Sequence, residues 1–196
     1  MAQNDAWMET CLISISKEGG SDVEFAGLTE TVDIDMGEKD IEGVALVNGG
    51  RVTKWTPEGD TTITFETYEL EVGNGNGWDD LLHPGTADTT NPYVITNDRI
   101  RNKYRIAILW TDDTSATTGV SATADGNAGF RYAFANCYIT AVKPSFTDGI
   151  LKHTVTAKLA PFDKSGDANI LMESTDGTAS EVLAALASYT SSTKFR

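Results

Sequence analysis

Residues 31–36 read Thr-Val-Asp-Ile-Asp-Met, so Val32, Ile34 and Met36 point one way and Thr31, Asp33 and Asp35 the other. The pattern returns over Thr61–Val72, where Ile63 and Phe65 oppose Thr62, Thr64 and Glu66. Successive side chains alternate across a strand, so a two-residue period predicts a strand with one dry and one wet face. Here the wet faces carry acids. Such strands build a surface and carry no catalyst of their own.

The rest of the chain follows the same logic. Thr10–Lys17 alternates Cys11, Ile13 and Ile15 against Ser14 and Ser16, and a looser segment runs from Gly20 to Thr29. Gly43–Asn48 and Arg51–Trp55 flank Gly49-Gly50, which suits a hairpin. Lys103–Thr111 sets Tyr104, Ile106, Ile108 and Trp110 on one face, Arg131–Val142 reads as a strand, Lys143–Asp148 as a turn, and Ile150–Leu159 as another strand. Trp78–His83 suits one short helix stopped by Pro84-Gly85. Near the end, Thr178 and Glu181 fit a capping box, and Val182, Leu183, Leu186 and Tyr189 make an apolar stripe, which predicts a second helix. Gly73–Asn102 and Asp112–Gly129 read as long loops, the second as mobile and low in complexity. The fold class expected is mainly β, a sandwich or barrel-forming fold with one or two short flanking helices and long loops.

Charge narrows the function. The chain has 196 residues and a formal charge of −14. Residues 1–100 hold 20 acids and 5 bases, whereas residues 101–196 hold 9 acids and 10 bases. Tight nucleic-acid binding needs clustered Lys and Arg, and this balance argues against it. The more basic second half can pair with the acids of a neighbouring copy. Cys11 and Cys137 sit in apolar strand segments and read as two buried reduced thiols. There is no signal-like apolar run and no membrane-length segment, so the chain is expected to be made in a cytoplasm and to have no membrane partner.

Catalytic and metal motifs do not assemble. His83 and His153 lack Cys, His or Glu neighbours at ligand spacing, and His153 lies at an inward strand position. Asp163, Ser165, Asp167 and Asn169 alternate as in a calcium loop, but Ala168 replaces the required Gly and Ser174 the final Glu. This reads as a polar turn, and Asp112-Asp113 has still less support. The Gly73–Gly77 run, GNGNG, opens no amphipathic helix and reads as a flexible loop. No enzyme activity, cofactor or metal is expected.

Two phrases are familiar. DIDMGEKDIEGVALVNGGRVTKWTPEGDTTITFE, Asp33–Glu66, resembles the first half of the major tail tube proteins of long, non-contractile tailed viruses of prokaryotes. RYAFANCYITAVKPSFTDGILKHTVTAKLAPFDKSG, Arg131–Gly166, resembles the second half of the same family. The resemblance implies a single tail-tube domain over 1–196, forming hexameric rings that stack into a hollow tube with an acidic lumen. Viral DNA and a length-setting (tape-measure) protein would occupy that lumen in turn, and tail tip and terminator proteins would meet its ends. It implies an inter-ring stacking hairpin near 38–55, and the expected domain is completed by the loop excursion at 73–102, which has no counterpart in the resemblance, and a C-terminal segment at 167–196. Asp33, Asp35 and Glu66 are candidates for the lumen wall. Glu38, Lys39, Asp40, Arg51, Lys54, Trp55, Arg99, Arg101, Lys103 and Arg105 are candidates for contacts between subunits. The alternative is a monomeric β-sandwich module binding glycan or calcium on a viral or cell surface, motivated by the polar loops and the Asp163–Asn169 turn.

Overall fold

The computed structural model describes residues 10–20, 22–25, 31–39, 41–55, 59–68, 78–82, 102–178 and 181–196. Among them are β1 (Thr10–Lys17), β2 (Asp22–Phe25), β3 (Val32–Asp35), β4 (Ile41–Ala45), β5 (Arg51–Trp55), β6 (Thr61–Tyr68), α1 (Trp78–Leu82), β7 (Tyr104–Thr111), β8 (Ala128–Thr147), β9 (Ile150–Leu159) and β10 (Ile170–Asp176). The chain is mainly β, as its alternation predicts. Eight strands make one antiparallel sheet in the order β2-β1-β7-β8-β9-β6-β3, with β10 also paired to β8.

That sheet curls because β8 serves both of its halves. Residues 128–137 of β8 lie beside β7 and β10, and residues 138–147 lie beside β9. Two bulges bend the strand. Two residues, Ala135 and Asn136, stand opposite the single Arg105, and Thr140 is an extra residue between Ile139 and Ala141. Asn136 takes the left-handed conformation with φ 55°, which Asn tolerates better than most residues. Each bulge reverses the parity of the inward face. Phe134 faces in, then Cys137 and Ile139, then Val142.

The curl encloses the core. Ile13, Ile15, Ile106 and Ile108 from β1 and β7 meet Ile63, Phe65, Val155 and Ala157 from β6 and β9. α1 adds Trp78 and Leu81 to the same cluster. The Trp78 indole donates to Thr67 Oγ1 at 3.2 Å, and the Tyr104 hydroxyl donates to the Leu81 carbonyl at 2.8 Å. His153 is a buried core residue with its ring 6.4 Å from that of Trp78. Cys137 is buried and Cys11 half-buried, and the two are not joined in a disulfide. Burial pushes the Cys137 thiol far above its ordinary range.

The structure departs from the pattern expected of the sequence in four places. The predicted Lys143–Asp148 turn is strand as far as Thr147, and the turn is the two-residue Asp148-Gly149 hairpin with φ 55° and 81°. Pro144 sits where β8 has β9 on one side only, and an edge tolerates proline. Ile170–Asp176 is strand β10, which the sequence reading did not identify.

The predicted C-terminal helix is absent. Residues 181–196 run as an irregular strap over the back of β7 and β8, burying Leu183, Leu186 and Tyr189. Its amides bond outward rather than four residues back. Leu183 N–H donates to Thr123 Oγ1 and Leu186 N–H to the Val120 carbonyl. The last correction concerns 112–127, which is packed onto the sheet. The Asp113 carboxylate accepts from Ser115 and from the Ala124 amide, and these bonds hold it below the usual carboxylate range. Gly119 lies so close to the sheet that a Cβ would stand 2.6 Å from the Ala107 carbonyl oxygen and 3.0 Å from that of Leu12.

Candidate functional site

Strands β3, β6, β9 and the second part of β8 form a four-stranded half-sheet with one dry and one wet face. Buried Ile63, Phe65, Val155 and Ala157 define the dry side. Register defines the wet side. Asp35 lies opposite Thr62, Thr62 opposite Lys158, and Lys158 opposite Tyr138. One row on are Asp33, Thr64, Thr156 and Ala141. Glu66 lies opposite Thr154, and Thr154 opposite Lys143. The structure thus brings Asp33, Asp35 and Glu66 onto one face.

That face is mixed rather than acidic. Lys143, Lys152 and Lys158 share it, a balance that composition alone concealed. Lys152 lies 5.4 Å over the Tyr68 ring. Asp35 Oδ1 accepts from the Gly37 amide at 2.9 Å. Among the described residues the outer edge of β3 has no strand partner, and neither does the outer edge of residues 138–147 of β8.

A second feature projects from the body. β4 and β5 form a two-stranded sheet of their own. Ile41, Val44, Leu46, Val47 and Val52 are all exposed on it. Alternating apolar residues normally bury one face, and this hairpin buries neither against the described chain. Lys54 stands 4.0 Å from Glu42 on the opposite strand, an exposed pair of little energetic weight. Glu38, Lys39 and Arg51 are exposed at its base and on β5. The backbone of Trp55 ends β5 opposite Ile41. Asp40, Arg99 and Arg101 lie outside the described residues, as do His83 and the Gly73–Gly77 loop.

Lys103 is half-buried, and its carbonyl accepts from the Glu18 amide. Arg105 is not a surface contact. It is fully buried on the back of β7, donating from Nη1 to the Ala187 carbonyl at 2.5 Å and the Lys194 carbonyl at 3.2 Å, with its guanidinium over the Tyr189 ring. The strap that covers it is read from the sequence as helix, which conceals that Ala187 and Lys194 carbonyls reach back to β7.

Sequence reasoning also missed Arg131. This buried guanidinium donates to Glu173 Oε2 at 2.5 and 3.1 Å, to the Ser121 carbonyl and to the Ala184 carbonyl. Burial first, then the neighbouring Arg196, brings it down to about 10, so it stays charged at neutral pH. Glu173 Oε1 also accepts from Arg196. The signal was the cross-strand pairing of Arg131 with Glu173, which requires knowing β10.

The Asp163–Asn169 turn is already occupied. Asp163 Oδ1 accepts from the Ser165 and Asp167 amides, and Lys194 Nζ sits 2.8 Å from Oδ2 while donating to the Asp167 and Ala168 carbonyls. An ammonium stands where a bound cation would. Lys194 and these amides hold Asp163 down at about 2. Among the described residues no cluster of three or more His, Cys, Asp or Glu could hold a metal ion. No described helix is long and apolar enough to cross a membrane.

No protein-family model matches the chain, and no curated protein matches its sequence. Solved structures resemble it in part. One is the sheath/tube terminator of an extracellular contractile injection system, PVC, in the extended state, with TM-score 0.46 and 13% identity over 88% of this chain and 99% of that one. Another comes from the baseplate of the anti-feeding prophage, 6-fold symmetrised, with TM-score 0.46 and 8% identity over 93% of this chain and 97% of that one. A third is Hcp1 from Flavobacterium johnsoniae, with TM-score 0.32 and 14% identity over 84% of this chain and 98% of that one.

Proposed function

We propose that this chain is a self-assembling, non-enzymatic subunit of a hollow tail tube, of the kind found in long non-contractile viral tails. The observation that carries the reading is the half-sheet β3-β6-β9-β8. It has one buried face, one polar face and two edges without a strand partner among the described residues. Successive strands are antiparallel, so across four strands β3 and β8 run in opposite directions. In a ring of copies related by rotation, β8 of one copy and β3 of the next are therefore antiparallel, and the sheet can close on itself. Closure removes the exposed edges that otherwise invite aggregation.

In this reading the rings are hexameric and stack, and the polar face lines a lumen that passes DNA after the length-setting protein leaves it. Asp33, Asp35 and Glu66 stand on that wall and offset the pull its lysines would exert on phosphates over about a Debye length, roughly 8 Å at physiological salt. The lysines beside them keep the wall near neutrality. The β4–β5 hairpin, within 38–55, covers its apolar residues against the next ring, with Glu38, Lys39, Asp40, Arg51, Lys54 and Trp55 at the contact. Arg99, Arg101 and the 73–102 excursion add contacts, Lys103 lies close by, and tail tip and terminator proteins meet the tube ends. The occupied Asp163 turn counts against the calcium-binding alternative.

The test is negative-stain electron microscopy of the concentrated chain over a range of salt, with and without a tail initiator complex. Hollow, evenly striated tubes are expected. Protein that stays monomeric in every condition, initiator included, would overturn the reading.

A further inference from the structure

The wet face of the half-sheet is zoned by strand. Its acids stand on β3 and β6 (Asp33, Asp35 and Glu66), and its lysines on β9 and β8 (Lys152, Lys158 and Lys143). The outermost charges are Asp33 and Asp35 on one edge strand and Lys143 on the other. Asp33, Asp35 and Lys143 are exposed. Among the described residues none of Asp33, Asp35, Glu66, Lys143 and Lys158 forms an ion pair. Distance explains part of this, since Glu66 and Lys143 share a row but lie two strands apart, roughly 10 Å at sheet spacing.

We infer, on the tube reading above, that Lys143 of one copy pairs with Asp33 and Asp35 of the next across an antiparallel β8–β3 joint. The partner is a second copy of this chain, and the zoning fixes which edge it offers. At such a joint the charges become cross-strand neighbours, with Cβ atoms about 5 Å apart, or diagonal neighbours slightly farther. The same zoning opposes the wrong joints. Two β3 edges related by a two-fold axis would set acid against acid, and two β8 edges would set lysine against lysine. Either symmetric dimer would use up an edge and stop ring growth. The zoned face therefore favours the heterologous, ring-forming contact over the closed pair.

Two charge reversals test this. Lys143→Glu makes both edges acidic, and the double change Asp33→Lys with Asp35→Lys makes both basic. All three sites are exposed, and circular dichroism melting checks that each variant folds. Each variant alone is expected to lose tube assembly under conditions where the parent chain assembles. An equimolar mixture is expected to restore it, because alternating copies make every joint complementary, and an even-numbered ring closes without a mismatch. Reversed variants that assemble alone as the parent does, or folded variants that stay unassembled when mixed, would overturn the inference. A parent chain that forms no tube with an initiator would instead overturn the tube reading itself. A neutral set, Lys143→Gln with Asp33→Asn and Asp35→Asn, gives a second readout. Its assembly should lose the salt dependence of the parent, and an unchanged salt dependence would count against the pairing.

Discussion

Arg105 and Arg131 alternate with apolar residues in their strands, a phase that in most sheets means solvent. Here both are buried, because the strap brings carbonyls of Ala184, Ala187 and Lys194 over them. Sequence shows the phase of a residue but not what later covers it, which is why Arg105 looked like a subunit contact. Removing the Glu173 carboxylate leaves the Arg131 charge buried with carbonyls alone. Glu173→Ala should cost about 3 kcal/mol, read from the denaturant midpoint. A loss below about 1 kcal/mol would mean that the carbonyls satisfy the guanidinium by themselves. Gly119→Ala should cost about 1–3 kcal/mol by forcing a methyl group against the Ala107 carbonyl. Asp163 supplies a pH signature. Its folded value of about 2 lies below the ordinary carboxylate value of about 3.9, so its contribution is complete above pH 4 or so and fades as pH falls toward 2. Lys194→Met should raise its midpoint toward the ordinary range in a carboxyl NMR titration. An unmoved midpoint would assign the depression to the Ser165 and Asp167 amides instead.

Among the elements, β1, β6, β7 and β9 were legible because each keeps one period throughout. β8 was only half legible, since its two bulges change parity and Pro144 interrupts the pattern. The strap was misread for a specific reason. Leu183, Leu186 and Tyr189 recur every three residues, close enough to the helical 3.6 to imitate an amphipathic stripe. What decides between the two is where the amides bond, and that depends on Val120 and Thr123, some sixty residues away in the chain. Leu186→Ala should therefore destabilise the folded subunit by about 2–3 kcal/mol by opening the contact with Ala107 and Ala133. The β4–β5 hairpin predicts the opposite behaviour. Val44→Asp with Val52→Asp, on exposed and directly paired residues, should leave the melting temperature unchanged and abolish tube growth. A large drop in melting temperature would show that the hairpin packs on its own subunit.

At the scale of the whole molecule, the mainly β architecture was readable from alternation, and the candidate acids do share one face. Their lysine neighbours were not readable, because which strands adjoin is a property of topology rather than of any local segment. That balance has a measurable consequence for an assembled tube. Glu66→Lys should turn a near-neutral wall positive, so variant tubes would retain short duplex DNA at low salt and release it as salt rises. Equal retention by parent and variant would take this face out of the lumen. One further consequence follows from β8 belonging to both halves of the curl. β1 pairs with β7 across about a hundred residues of chain, and β6 pairs with β9 across a similar gap, as Thr10↔Thr111 and Thr61↔Leu159 illustrate. Pairings this distant in sequence make folding slow. During synthesis, β1, β3 and β6 emerge long before β8, which joins the two walls. The β6 edge therefore stays without its β9 partner until Leu159 has been made, which makes the folding yield more sensitive to crowding and to chaperone supply than the final stability would suggest.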